Sequence, residues 1–181
     1  MLHITIPERE FFDEETNEFF SIKKQSLVME HSLISISKWE AKWKKPYFSD
    51  DKTAEEIIDY FRCMVVSPQK FDPIIFRTLD SENLNKIKDY VSDPMTATTI
   101  NQNKNTPHRK EIITSEIIYY WMIAQNIPIE FEKWHINRLL TLIRVCSIKN
   151  DPNPKKMSRS AIARQNRALN KARKAKYGTR G

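Results

Sequence analysis

Glycine is nearly missing from this chain of 181 residues: the only two are Gly178 and Gly181. Loops that cradle phosphate need glycine, because only a residue without a Cβ lets the backbone turn tightly and approach the anion. A P-loop, a dinucleotide fingerprint and a glycine-flanked serine elbow are therefore excluded, and most nucleotide-dependent enzyme classes go with them. Cysteine is just as scarce. Cys63 and Cys146 stand far apart, which predicts no disulfide framework and suits a reducing compartment. Long apolar runs are absent too. In the stretch EIIYYWMIAQNIPIEF the longest unbroken run is Ile117 to Ala124, eight residues, against the roughly 20 that a spanning helix needs. Met1 to Phe11 carries Glu8, Arg9 and Glu10 with no apolar leader core. Neither a membrane span nor a secretion signal is expected, and a cytoplasmic location is.

Acidic residues are missing from one end only. From Pro152 to Gly181 there are ten Lys or Arg and no Asp or Glu, which leaves residues 1 to 151 with 20 basic against 23 acidic side chains. The body is thus at −3 within a chain of +7, and any electrostatic argument concerns the tail. At 40% hydrophobic and 10% aromatic residues the chain can bury one core. Residues 1–150 read as one domain and 151–181 as a basic, flexible or conditionally helical tail.

What is present is mostly helical patterning. LHITI (Leu2 to Ile6) alternates and ends at Pro7, DEETNE (Asp13 to Glu18) reads as a turn, and FFSI and SLVME follow as further strands. These predict a small N-terminal β-hairpin or sheet. Glu30 to Lys44 places Leu33, Ile34, Ile36, Trp39 and Trp43 near helical spacing, with Pro46 as a stop. Thr53 and Glu56 form a capping box that opens the series Ile57, Ile58, Phe61 and Met64. Residues 71–79 suggest a short helix, Ser81 to Val91 another, and ATTINQNKNTPHRK an exposed loop. Two stronger helices are expected after that: one from Thr114 or Ser115 to about Gln125, the other from about Pro128 to Ser147. The second shows an apolar face of Phe131, Trp134, Ile136, Leu139, Leu140, Ile143 and Val145. Ser158 to Lys176 has helix-forming composition but few apolar residues, so alone it is marginal. The fold class is mainly α (α+β): a compact helical domain of five to six helices with a small N-terminal β element and a basic tail.

Catalytic chemistry has little to stand on. His3, His31, His108 and His135 lack zinc-site spacing, and the pairs Asp50–Asp51 and Glu55–Glu56 sit where a helix start explains them. No catalytic residue, metal ligand or cofactor is expected. Trp39 and Trp43, one turn apart among Lys38, Lys42, Lys44 and Lys45, suit base stacking, but burial of the rings with lysine stems along the surface is the favoured reading. In Ile117 to Ala124 the residues Ile117, Tyr120, Trp121 and Ala124 share one face, and Ile118, Tyr119 and Met122 take the others. A helix apolar all round is a central core helix, or one that lends a face to a partner. A helix-turn-helix around Asn126 to Pro128 is discounted, because both helices are too apolar to read bases. The tail has the charge density of a nucleic-acid arm, or of an extension that docks on an acidic surface.

As a set, EHSLISISKWEAKWKKPYFS, DPMTATT, EIITSEIIYYWMIAQNIPIEFEKWHINRLLTLIRVCSIKN and RQNRALNKARKAKYGTRG resemble a family of long-tailed bacteriophage proteins encoded in the tail-gene region. That family is treated as tail assembly chaperones, and the resemblance covers nearly the whole chain. It implies a cytoplasmic factor in the infected bacterial host that keeps the tape measure protein soluble until tail tube subunits polymerise around it. Partners implied are the tape measure protein and the tail tube protein, with a homo-oligomer compatible and nucleic acid a less favoured alternative. A tape measure protein is long, helical and striped with apolar surface, so a holder needs an apolar surface of its own. Candidate client-binding residues are Tyr119, Tyr120, Trp121 and Met122, with Trp134 beside them. Candidate tail contacts are Lys155, Lys156, Arg159, Arg164, Arg167, Lys171, Arg173, Lys174 and Lys176. The rival is a structural virion protein, a connector or tail completion component.

Overall fold

A computed structural model describes residues 1–13, 17–49, 51–67, 71, 73–76, 78–100, 112–152 and 159–178. The chain is mainly helical with a small antiparallel β part, as its patterning predicts. Four strands, β1 (Leu2–Ile6), β2 (Arg9–Asp13), β3 (Glu18–Ile22) and β4 (Gln25–Met29), pair as β1 with β4 and β2 with β3. The register is common to both pairs: Ile6 faces Gln25 and Arg9 faces Ile22. The four strands are therefore one long hairpin, interrupted where Pro7 and Glu8 lie opposite Lys23 and Lys24. Pro7 has no N–H to give a ladder, which accounts for the break. Ile4, Ile6, Leu27 and Met29 are buried on one face while His3, Thr5 and Ser26 face outward.

Helix α1 (Leu33–Trp43) follows β4 almost at once. Ser32 caps it by accepting from the Ser35 N–H, and Lys44 in the left-handed region ends it by donating to the Glu40 carbonyl. Helix α2 (Ala54–Met64) starts on the predicted capping box of Thr53 and Glu56. Its exit lies along β4: the Glu30 N–H donates to the Met64 carbonyl at 2.8 Å and the Val66 N–H to the Val28 carbonyl at 2.9 Å. These bonds cover a strand edge that would otherwise be open. A single 3-10 turn (Pro73–Phe76) stands where a short helix is expected, and α3 (Ser81–Ser92) follows, capped by Asp80. The loop expected after α3 falls largely outside the described residues.

Helix α4 (Ser115–Ala124) matches its expected span. The helix expected from Pro128 does not run unbroken: Ile129–Lys133 is a 3-10 turn, Trp134 is extended, and α5 begins only at Ile136 and ends at Lys149. The break has a long-range cause. His135 bridges to Ser32, and the Ile136 N–H donates to the His31 carbonyl at 2.7 Å. This segment thus bonds to the β4–α1 junction instead of to its own preceding turn. Residues Met1–Ser147 form one compact unit, with a core of Met29, Leu33, Ile36, Trp39, Met64, Ile87, Ile118, Met122, Ile136 and Leu139. Residues 148–181 form a second, whose helix α6 spans Arg159–Tyr177. The tail expected to be marginal is thus a helix of 19 residues. Its alanines, and the lack of glycine and proline within it, are the local reason.

Candidate functional site

Two tryptophans in a lysine-rich helix are tied to α2, as the burial reading predicts. Trp39 is fully buried and its indole N–H donates to the Glu56 carbonyl at 2.8 Å. Trp43, half-buried, donates to Asp59 Oδ2 at 2.9 Å. Two of the four lysines are bound too: Lys42 to Asp59 and Lys45 to Glu56, each at 2.5 Å. Burial pushes the Asp59 carboxyl up, but the bonds from Lys42 and Trp43 and the Lys42 and Arg62 charges outweigh it and hold it below its usual range. Lys45, then the Thr53 N–H, hold Glu56 low in the same way. The rings, tied to α2 in this way, are not laid out for stacking on bases. Cys63 is set nearby, its thiol pushed up to about 11 by burial and by Asp59; such a thiol is protonated at neutral pH and a poor nucleophile.

A second polar group lies where the hairpin meets the helices. His31 bonds through Nδ1 to the Tyr60 hydroxyl, and its ring sits edge-on to His135 at 5.0 Å between centroids. His135 Nε2 donates to the Tyr90 carbonyl at 2.9 Å while its Nδ1 accepts from the Asn137 N–H. The Tyr90 hydroxyl donates to the buried Glu30 carboxylate at 2.6 Å. Burial first, and His135 second, lower the His31 pKa to about 3. Burial likewise pushes Tyr47 up to about 12. His31 and the three tyrosines are neutral near pH 7, and each ring is occupied by a neighbour. The group fastens the elements together, and among the described residues no cluster of side chains is arranged to hold a metal ion.

Helix α4 presents open apolar surface, though not as its sequence suggests. Ile118 and Met122 are the buried positions, at 0% and 1% exposure. Met122 is therefore a core residue and leaves the candidate client surface. Tyr119 is half-buried and its hydroxyl donates to Glu132 at 2.8 Å; burial and then that carboxylate raise its pKa. Trp121 is also half-buried and packed against the core. Of the four α4 candidates only Tyr120 is open, at 66% exposure, and Ile123, not among the candidates, is more open still at 72%. The two are one turn apart on the same side, and Ile129 beyond the turn is exposed as well. Trp134 is half-buried, its ring stacked on Phe131 at 4.0 Å between centroids and the Arg138 guanidinium 4.0 Å from its centre.

The cause of this orientation is a buried carboxylate that sequence reasoning missed. Glu40 reaches the start of α4, where Oε2 accepts from the Ser115 N–H at 2.7 Å while Oε1 accepts from the Tyr47 N–H at 2.7 Å. Thr114 makes no side-chain cap, so Glu40 acts as the cap in its place and sets a negative charge at the positive end of the helix dipole. With Ser115 fixed inward, Ile118 and Met122 follow at helical spacing and Tyr120 and Ile123 are left outside. Beside this junction lies an open, mostly apolar cleft of about 610 Å3, lined by Lys45, Pro46, Phe48, Ser49, Ile112 and Ile113 among others.

In the second unit, Arg164, Arg167, Lys171, Arg173 and Lys174 are exposed residues of α6. Arg159 and Lys176 belong to its first and last turns, and Lys155 and Lys156 lie outside the described residues. Ile162 and Leu169 are exposed at 45% and 47%. No protein-family model, curated protein or solved structure matches the chain.

Proposed function

We propose that this chain is a non-catalytic assembly factor, a phage tail assembly chaperone that covers apolar stripes of the tape measure protein in the cytoplasm of the infected host. The observation that supports this reading best is the outward pair Tyr120 and Ile123 on a helix locked at its start by Glu40. It offers rigid apolar surface with no ordering cost of its own. The resemblance of the sequence blocks to the phage tail family points the same way.

The surface suits passive holding. Burying two such side chains contributes roughly 3 to 6 kcal/mol gross, most of which the loss of free motion on association offsets. Each contact is weak and reversible, so a long client is held by many copies and released when tube subunits compete for the same stripes. No energy source is needed. Co-expression with the tape measure protein of the same genome tests the proposal: soluble yield rises with the native chain and falls back with Tyr120→Asp/Ile123→Asp. A chain found at fixed stoichiometry in purified virions, with the tape measure still insoluble, supports the structural rival instead.

A further inference from the structure

Helix α6 orders its charges in a way that the composition of the tail conceals. Arg164, Arg167, Lys171 and Lys174 recur at steps of three, four and three residues, which places them on one side of the helix. All four are exposed, and no acidic residue occurs anywhere from Pro152 onward to neutralise them. Ile162, Leu169 and Ala172 lie on the opposite side, and Arg173 and Lys176 fall among them. At about 1.5 Å per residue the four cations extend over roughly 15 Å. Ala163 and Ala168 flank the stripe, so little side-chain bulk keeps a ligand away from it.

We infer that this stripe of α6 binds the phosphate backbone of nucleic acid, without sequence preference and independently of the α4 surface. A duplex presents about one charge per 1.7 Å of axis, a continuous array that a row of four cations matches wherever it lands. Two other anionic partners fit less well. A membrane surface calls for bulky apolar or aromatic residues opposite the charges, and here that side offers only Ile162, Leu169 and alanine, interrupted by Arg173 and Lys176. An acidic protein helix would be expected to meet a broader apolar seam than those residues supply. The remaining polar residues of the helix, among them Gln165, Asn166 and Asn170, are uncharged groups of the kind that hydrogen-bond phosphate and sugar.

The test is fluorescence anisotropy of the full chain with a labelled 20-base-pair DNA duplex of arbitrary sequence, from 50 to 200 mM salt. Four phosphate contacts predict a slope of about −3.6 in log affinity against log salt, a loss of about a hundredfold across that range. Arg164→Gln/Arg167→Gln/Lys171→Gln/Lys174→Gln removes most of that slope, whereas Lys23→Gln/Lys24→Gln/Lys38→Gln/Lys88→Gln, which costs the same net charge on the body, leaves it. Exchanging Arg164 with Gln165 and Lys171 with Ala172 keeps composition and charge but splits the stripe, and roughly halves the slope. Equal slopes for the native chain and the four-glutamine variant would overturn the inference. So would tighter binding to anionic phospholipid vesicles or to polyglutamate than to the duplex at 50 mM salt.

Discussion

Glu40 holds two N–H groups that belong to distant parts of the chain, one on Tyr47 and one on Ser115. Removing a buried acceptor leaves its donors without water or protein partners, at about 1 to 3 kcal/mol each. Glu40→Ala is therefore expected to cost about 2 to 5 kcal/mol by urea unfolding, and Glu40→Gln less, because its amide oxygen keeps one bond. His31 gives a second prediction at this scale. Its folded pKa near 3 lies below the ordinary 6.5, so the unfolded chain binds the extra proton first as pH falls. The stability that depends on a neutral His31 is intact above pH 6.5 and lost progressively toward pH 3, at a slope of up to about 1.4 kcal/mol per pH unit. The carboxylates Glu56 and Asp59, held low by their partners, add to the loss only at the acid end. Unfolding free energies between pH 7 and 5 isolate the histidine: His31→Gln flattens that part of the curve, and an unchanged slope would remove His31 as its source.

At the scale of elements, local signals were legible and partners were not. The capping box of Thr53 and Glu56 marks α2 because both halves of the device lie within four residues. Pro7 marks the hairpin's interruption for the same reason: a missing N–H is a property of the residue itself. The break before α5 left no such trace. It depends on Ser32 and His31, more than a hundred residues away, while Pro128 and the apolar spacing beyond it read as one helix. The face of α4 was ambiguous because it is apolar all round, and the residue that decides it, Glu40, sits on α1. A buried Ser115 followed at three and seven residues by Ile118 and Met122 would have shown the inner side. The assignment is testable by paired substitutions. Ile118→Ala and Met122→Ala should each cost about 2 to 5 kcal/mol, and Tyr120→Asp/Ile123→Asp only about 0.5 kcal/mol. The reverse order would mean that α4 is turned the other way.

Over the whole molecule, the chain separates an acidic body with its own core from a basic helix on which Arg164, Arg167, Lys171, Arg173 and Lys174 are exposed. A chain ending at Asn150 keeps every core residue named above and is expected to unfold at the same urea midpoint as the full chain. If the midpoint falls by more than the experimental spread, the body depends on the tail. On the proposed reading the two units divide the work between apolar client surface on α4 and phosphate contacts on α6, so the losses on mutation should also divide. The most direct test of the central claim is the soluble yield of the tape measure protein on co-expression, with the native chain and with Tyr120→Asp/Ile123→Asp side by side. The account predicts a soluble, co-purifying tape measure with the first and an insoluble one with the second, while both versions of the chain fold equally well. A tape measure that stays insoluble with the native chain, or is rescued equally by both, contradicts it.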